Sequence, residues 1–171
     1  MENSVKLIPK EMKGSIWDEN GNAKVVQILI SHGTSEVNSI QFAHVVDGKV
    51  VSSEMHGNPN GSKFDIITFD YPGEYLISIF ADHDANGLGS ITFSTNKRKY
   101  GPFGGPSSNY SSYQHDTVTY NFKPRSSFGG FHGSILDSKM YAIGVYIRPL
   151  GSLAEIETDV GSDSVIIDKE G

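Results

Sequence analysis

The feature that most constrains this chain is its rhythm: short apolar runs cut by turn residues at close, regular spacing. Val25-Val26-Gln27-Ile28-Leu29-Ile30 is compact and rich in β-branched residues, which pack well on a pleated surface. Ser39-Ile40-Gln41-Phe42-Ala43-His44-Val45 alternates apolar with small or polar residues, the period of a strand with one buried face. Asp47-Gly48 stands between Val46 and Val50 and predicts a tight hairpin, since both residues tolerate a positive φ. Further strands are predicted at Phe64–Ile67, Tyr75–Phe80, Ser90–Thr95, Thr117–Phe122, Gly129–Gly133 and Tyr141–Arg148. Breaks come at Gly57-Asn58-Pro59-Asn60-Gly61, Tyr71-Pro72-Gly73, Asn86-Gly87 and Gly104-Gly105-Pro106. No segment of about 12 residues carries a helical apolar stripe with caps. About ten short strands at this spacing predict an all-β sandwich, barrel or prism. Strands hold such a scaffold, so a site belongs on loops. The polar stretches 10–22, 31–38, 53–62, 81–90, 101–116 and 133–141 are read as those loops.

The 171 residues suffice for one domain with a real core, and the composition changes after Pro149-Leu150. The reading is an N-terminal arm over 1–9, a domain over 10–150 and a tail over 151–171. Charge separates the last two. The tail holds Glu155, Glu157, Asp159, Asp163, Asp168 and Glu170 against Lys169, which accounts for -5 of the net charge of -6. Few large apolar residues and no aromatic predict a disordered tail, with Val165-Ile166-Ile167 as its one short docking run. The domain is thus nearly neutral, which argues against a nucleic-acid binder. With no cysteine there is no disulfide framework, thiolate metal site or cysteine nucleophile. No apolar run nears the roughly 18 residues of a membrane span. Residues 1–12 lack the apolar h-region of a secretory signal, so the expected compartment is cytosol or nucleus rather than the exterior.

Few constellations carry chemistry. Asp82-His83-Asp84-Ala85-Asn86-Gly87 matches the first half of a calcium loop, but position twelve is Phe93 where a bidentate Glu is needed. A hairpin turn explains it better. His32, His44, His56, His83, His115 and His132 show no metal-ligand spacing and read as surface or turn histidines. There is no G-x-S-x-G elbow and no phosphate loop. Nothing argues for an enzyme, a metal or a cofactor. Lys97-Arg98-Lys99 reads as a solvated hairpin tip. Tyr110, Tyr113, Tyr120 and Tyr141 lie in or beside loops, where an aromatic face can cover the C–H face of a sugar ring. For Tyr120 and Tyr146 a core position with the hydroxyl at the rim is favoured.

Three segments together resemble the jacalin-related lectins of plants. They are Thr92-Phe93-Ser94-Thr95-Asn96-Lys97-Arg98-Lys99-Tyr100-Gly101-Pro102-Phe103-Gly104, Gly129-Gly130-Phe131-His132-Gly133, and Ala142-Ile143-Gly144-Val145-Tyr146-Ile147. Pro72-Gly73-Glu74-Tyr75-Leu76 and Ser39-Ile40-Gln41-Phe42 fit the same order, so the resemblance covers about Gly14 to Leu150. It implies a β-prism I, three four-stranded antiparallel sheets with pseudo-threefold symmetry. It implies metal-independent binding of mannose-type or galactose-type sugars, with the mannose/glucose type expected for a single uncut chain, and a role in plant defence that includes restriction of virus movement; a homo-oligomer is the expected assembly.

The family site combines an N-terminal glycine with a G-x-x-x-D loop before the last strand. Glycine lets a sugar approach the backbone, and the aspartate accepts from two hydroxyls. Carried onto this sequence, the candidates are Gly14, Gly133, Asp137, Ser138, Lys139 and Tyr141. The sequence departs from the pattern in both parts. Lys10-Glu11-Met12-Lys13 precedes Gly14 without another glycine, and counting back from Ala142 puts Tyr141 in the aspartate's place. A literal G-x-x-x-D, Gly133 to Asp137, lies four residues early. If the loop folds back, Asp137 is the clamp; if strand register rules, Tyr141 offers a stacking surface instead. Two functions therefore stand open: a mannose-type lectin, or a protein-interaction module on the same fold that has lost sugar binding.

Overall fold

A computed structural model describes residues 3–9, 11–105 and 115–154. Tyr110, Tyr113 and most of the tail, with Val165-Ile166-Ile167, lie outside them. The chain forms thirteen strands among the described residues: β1 (Val5–Leu7), β2 (Ser15–Asp18), β3 (Val25–His32), β4 (Val37–Val46), β5 (Lys49–Ser52), β6 (His56–Gly57), β7 (Lys63–Thr68), β8 (Leu76–Asp84), β9 (Gly87–Thr95), β10 (Lys99–Gly104), β11 (Asp116–Asn121), β12 (Phe128–Leu136) and β13 (Lys139–Ile147). One 3₁₀ turn, Arg125–Ser127, precedes β12.

Three antiparallel sheets result. Their orders are β1-β13-β12-β2, β10-β9-β8-β11 and β5-β4-β3-β7, and β6 adds to β4 as a fifth strand of the last. The all-β prism expected from the sequence is therefore present, with one sheet larger by the two-residue β6. Each sheet is built on a central hairpin, β3–β4, β8–β9 or β12–β13, flanked by shorter strands. The three β-branched and aromatic central pairs face one axis. There Phe42 from β4 stacks on Phe131 from β12 at 4.5 Å, and Phe93 from β9 meets Phe131 edge-on at 6.4 Å. Phe42, Phe93 and Phe131 are each at most 1 % exposed. Ile28, Ile30, Ile40, Ile79, Ile91 and Ile143 complete this core, all fully buried. No sheet could bury its inner face alone.

Turn chemistry sets the register. Asp47 and Gly48 take φ of 50° and 75°, the left-handed pair of a type I′ hairpin that the sequence predicts. Two stretches read as long loops are instead strands closed by equally tight turns. β8 runs to Asp84 and β9 starts at Gly87. β12 runs to Leu136 and β13 starts at Lys139, with Asp137 and Ser138 at φ of 53° and 64°. Asp-Ser lacks the glycine that marks such a turn, yet aspartate's side chain tolerates the left-handed region.

The histidines correct the sequence reading. Five of the six are buried, not surface residues. His32 Nε2 lies 2.6 Å from Asp65, while its Nδ1 accepts from Gly104 N–H at 3.0 Å. His56 stacks on Trp17 at 3.8 Å and pairs with Glu19. His132 Nε2 donates to the Leu7 carbonyl at 2.8 Å and so pins β1 to the sheet. Burial outweighs that bond and holds the His132 pKa below the usual histidine value. His32 bonds through both ring nitrogens, and His56 and His132 through Nε2, so these imidazoles knit strands together within the buried core. Tyr120 and Tyr146 are core residues, as expected, and the Tyr146 hydroxyl donates to Asp18.

Candidate functional site

All three central hairpins turn at the same pole of the prism. The β3–β4 connection, residues 33–36, closes with Gly33 N–H donating to Glu36 O at 3.0 Å. The β8–β9 turn is Ala85-Asn86, and the β12–β13 turn is Asp137-Ser138. These tips touch. A Cβ built on Gly87, whose φ is +131°, would lie 2.7 Å from Met140 O and 3.0 Å from Tyr141 Cα. Lys139 Nζ reaches Glu36 Oε2 at 3.0 Å, joining two tips by an ion pair. Ser138 O accepts from Asn58 N–H at 2.9 Å, which draws in the loop before β7.

Gly14 closes the fourth side. It takes φ +85°, and a Cβ there would stand 1.9 Å from Ile135 O. Only a glycine lets the chain enter β2 this close to the β12 carbonyl. Gly14→Ala would force that carbonyl away in addition to the 1–3 kcal/mol that a left-handed residue costs, roughly. The expected result is loss of the terminal Ser15–Ile135 pairing, read as faster amide exchange at Ser15 and Ile16 and a lower urea midpoint.

Tyr141 answers the question of register. Ser134 pairs with Ala142, but Ile135 pairs with Met140, so the ladder steps at Tyr141 and makes a β-bulge. Bulges re-aim side chains and are common beside sites. Tyr141 is only 3 % exposed, and Lys13 Nζ stands 5.9 Å from its ring centroid. Hydrogen bonding to Glu11, at 3.1 Å, and secondarily Tyr141, hold the Lys13 pKa above the ordinary lysine value. Asp137 and Ser138 are exposed at the hairpin tip. Gly133 lies within β12 opposite Trp17, where a Cβ would meet Ala142 O at 2.4 Å and Trp17 Cζ2 at 2.7 Å. Its contact is with the indole under the pole. The fold thus brings Gly14, Lys139, Tyr141 and the 137–138 turn to one end.

Lys13 and the Asp84–Gly87 turn also stand at this pole and were not among the candidates. The sequence reading prefers a hairpin to a calcium loop for that turn. Here Asp84 Oδ1 accepts from Asn86 N–H at 2.7 Å, and Asp82 Oδ1 lies 2.9 Å from His115 Nδ1. No group of three His, Asp or Glu among the described residues is placed to hold a metal. Asn86-Gly87 signalled the turn; nothing in the sequence signalled its neighbour, since residues 87 and 141 meet only through packing of two sheets. What the pole offers is a shallow polar end: glycine backbone, a lysine ammonium, a bulged tyrosine and an exposed carboxylate. Such a set suits hydroxyl-rich ligands held by several weak hydrogen bonds.

Known proteins agree with this architecture. The model for the jacalin-like lectin domain matches residues 11–146. The chain is 39 % identical over 148 residues to Arabidopsis thaliana Protein RESTRICTED TEV MOVEMENT 1, covering 83 % of this chain and 82 % of that one. It is 39 % identical to Jacalin-related lectin 2 of the same plant, over 78 % of this chain and 77 % of the relative. Among solved structures, a mannose-binding jacalin-related lectin from Ananas comosus superposes with a TM-score of 0.68 at 31 % identity, over 86 % of this chain and 99 % of that one. A mannose-specific lectin from Morus nigra, at 22 % identity, shares the fold with a TM-score of 0.71 over 87 % and 97 % of the two chains. Sequence model, relatives and the three-hairpin prism converge: this chain belongs to the jacalin-like lectin family.

Proposed function

We propose that the protein is a metal-independent lectin of the mannose/glucose type that binds glycans at the three-hairpin pole. The observation that carries this reading is Gly14, held left-handed against Ile135 O beside the 137–141 hairpin. That contact leaves backbone, not a side chain, facing an incoming ring. A relative of 31 % identity described as mannose-binding supports the sugar class. The name of the Arabidopsis relative supports a role in plant defence through restriction of virus movement. Membership of a lectin family supports binding rather than catalysis as its mode of action. A second copy of the chain is the expected oligomeric partner. The outer edge of β7 supports this, with Phe64 and Ile66 being 48 % and 61 % exposed.

The test is a titration of isotopically labelled protein with mannose and methyl-α-mannoside. Saturable amide shifts at Gly14 and residues 137–141 are expected, with Kd in the range ~1–10 mM. Asp137→Asn should abolish them, since Tyr141 is buried and cannot supply the lost acceptor. Absence of shifts up to tens of millimolar, where ~10 mM binding would show, would overturn the reading. One observation favours the second function in that event. Strand register puts Tyr141, buried beside Lys13, in the place of the family carboxylate, so the acceptor that would clamp a sugar is missing at that position. A protein partner retained in excess mannose would then be the diagnostic result.

A further inference from the structure

The opposite pole holds a cavity of about 490 Å³ with a different chemistry. Strand direction separates the two ends. β8 enters the cavity wall at Leu76 and leaves the other pole at Asp84; β13 starts at Lys139 and ends beside the cavity, which Arg148 lines. Its charged lining consists of Lys24, Glu74, Arg125 and Arg148, three cations against one carboxylate. The carboxylate is already committed. Glu74, 1 % exposed, accepts from Asp70 N–H at 2.8 Å, Thr95 Oγ1 at 2.7 Å and the Tyr100 hydroxyl at 2.7 Å. The Arg125 guanidinium lies over the Tyr75 ring, 4.1 Å from its centroid, a cation–π contact that holds it in the wall. Beside it, Ser126 Oγ is buried with no hydrogen-bond partner among the described residues. The cavity thus sets cationic groups in a partly apolar wall of Val25, Val45, Leu76 and Phe128, and it is large enough for a small ligand or a few residues.

We infer that this cavity docks the chain's own acidic C-terminal segment, with Glu155, Glu157 and Asp159 as the anionic groups it holds. The segment leaves the domain from the cavity rim. Arg148 lines the cavity, and Glu155 follows it by seven residues, a reach of up to about 23–25 Å when extended. Three carboxylates in five residues face three cations. The tail carries almost the whole net charge, and the cavity's cations stand where the chain leaves the domain. Tethering also gives the segment an effective concentration in the millimolar range, above that of most free anions. Surface ion pairs are weak singly, but a tethered set against a fixed guanidinium is favoured by chain connectivity as well as charge.

The chain lacks cysteine, so Ser162→Cys in the full-length protein gives a unique spin-label site in the tail. The label should selectively broaden amides of residues 21–25, 74–76 and 125–128, leaving the hairpin pole sharp. About 1 M salt, where the Debye length is about 3 Å, should remove the effect. So should Glu155→Gln/Glu157→Gln/Asp159→Asn, which leaves the sequence of residues 1–154 unchanged, and Arg125→Ala/Arg148→Ala. No broadening, broadening centred on another face, or broadening unchanged by the tail substitutions would overturn the inference. Broadening seen on labelled chains mixed with separate spin-labelled chains, but diluted away within one chain, would also overturn it, by assigning the cavity to a neighbour's tail.

Discussion

Phe131→Ala lowers stability by about 3–5 kcal/mol, the range for removing a buried aromatic that cannot be replaced by collapse. The ring is the junction of the whole prism. It stacks on Phe42, meets Phe93 edge-on, and packs against Phe128 at 4.9 Å. Each contact belongs to a different sheet or to the start of its own. Deletion therefore leaves a void that no single sheet can close without breaking register with the other two. Urea unfolding measures the effect: the midpoint falls sharply while the transition stays single, because the three sheets share one core. Phe131→Leu keeps much of the volume and should cost clearly less. A loss below about 1 kcal/mol for Phe131→Ala would show that the sheets are stabilised separately.

Glu74→Ala is the second large effect, and it carries a pH signature. Burial pushes the Glu74 carboxyl toward the neutral form, but donors from Asp70 N–H, Thr95 and Tyr100, with Arg98 nearby at 3.6 Å, outweigh it and hold the pKa below the usual glutamate value. A carboxyl that titrates lower in the folded than in the unfolded state adds stability above the unfolded pKa of about 4.3. That contribution fades as pH falls through the lower folded value. Removing the side chain leaves three donors facing no acceptor in a buried site, a loss of about 3 kcal/mol or more at neutral pH. Urea midpoints measured from neutral to acid pH test both parts. Wild type should lose stability progressively below the unfolded value, and Glu74→Gln should be weaker at neutral pH with a shallower acid limb.

The strands that could be read in the sequence were those with a buried face. β3, β4, β9 and β13 alternate or run apolar because they lie at the centre of their sheets. Of the flanking strands, β7 and β11 are legible through their β-branched and aromatic runs, whereas β1, β2 and β10 are not. β2 turns only Trp17 inward, and Ser15, Ile16 and Asp18 face solvent, so no period appears in four residues. β10 contains Gly101-Pro102, which reads as a turn, yet Phe103 is buried and pairs with Ile91 across a register shift. β1 is three residues long and is fixed by pairing with β13 and by His132, a residue 125 positions away. The histidines misled because a polar residue beside glycine resembles a turn until its bonding partner, remote in sequence, is known. At the site, Gly14 and the hairpin residues became candidates through a family resemblance; their spacing alone said nothing. The bulge at Tyr141 and the contact of Gly87 with it are products of strand pairing and sheet packing, and neither leaves a local mark.

The convergence of three hairpin tips at one pole divides labour between scaffold and surface. Each tip comes from a separate sheet and ends in a turn of about two to four residues, well away from the phenylalanine axis. A tip can therefore be lengthened, recharged or shortened with little effect on the core, the adjustment falling on the contacts that join it to its neighbours. Ligand choice becomes a combinatorial property of three edges from three sheets, and a pole that abandons one kind of ligand remains a folded platform for another.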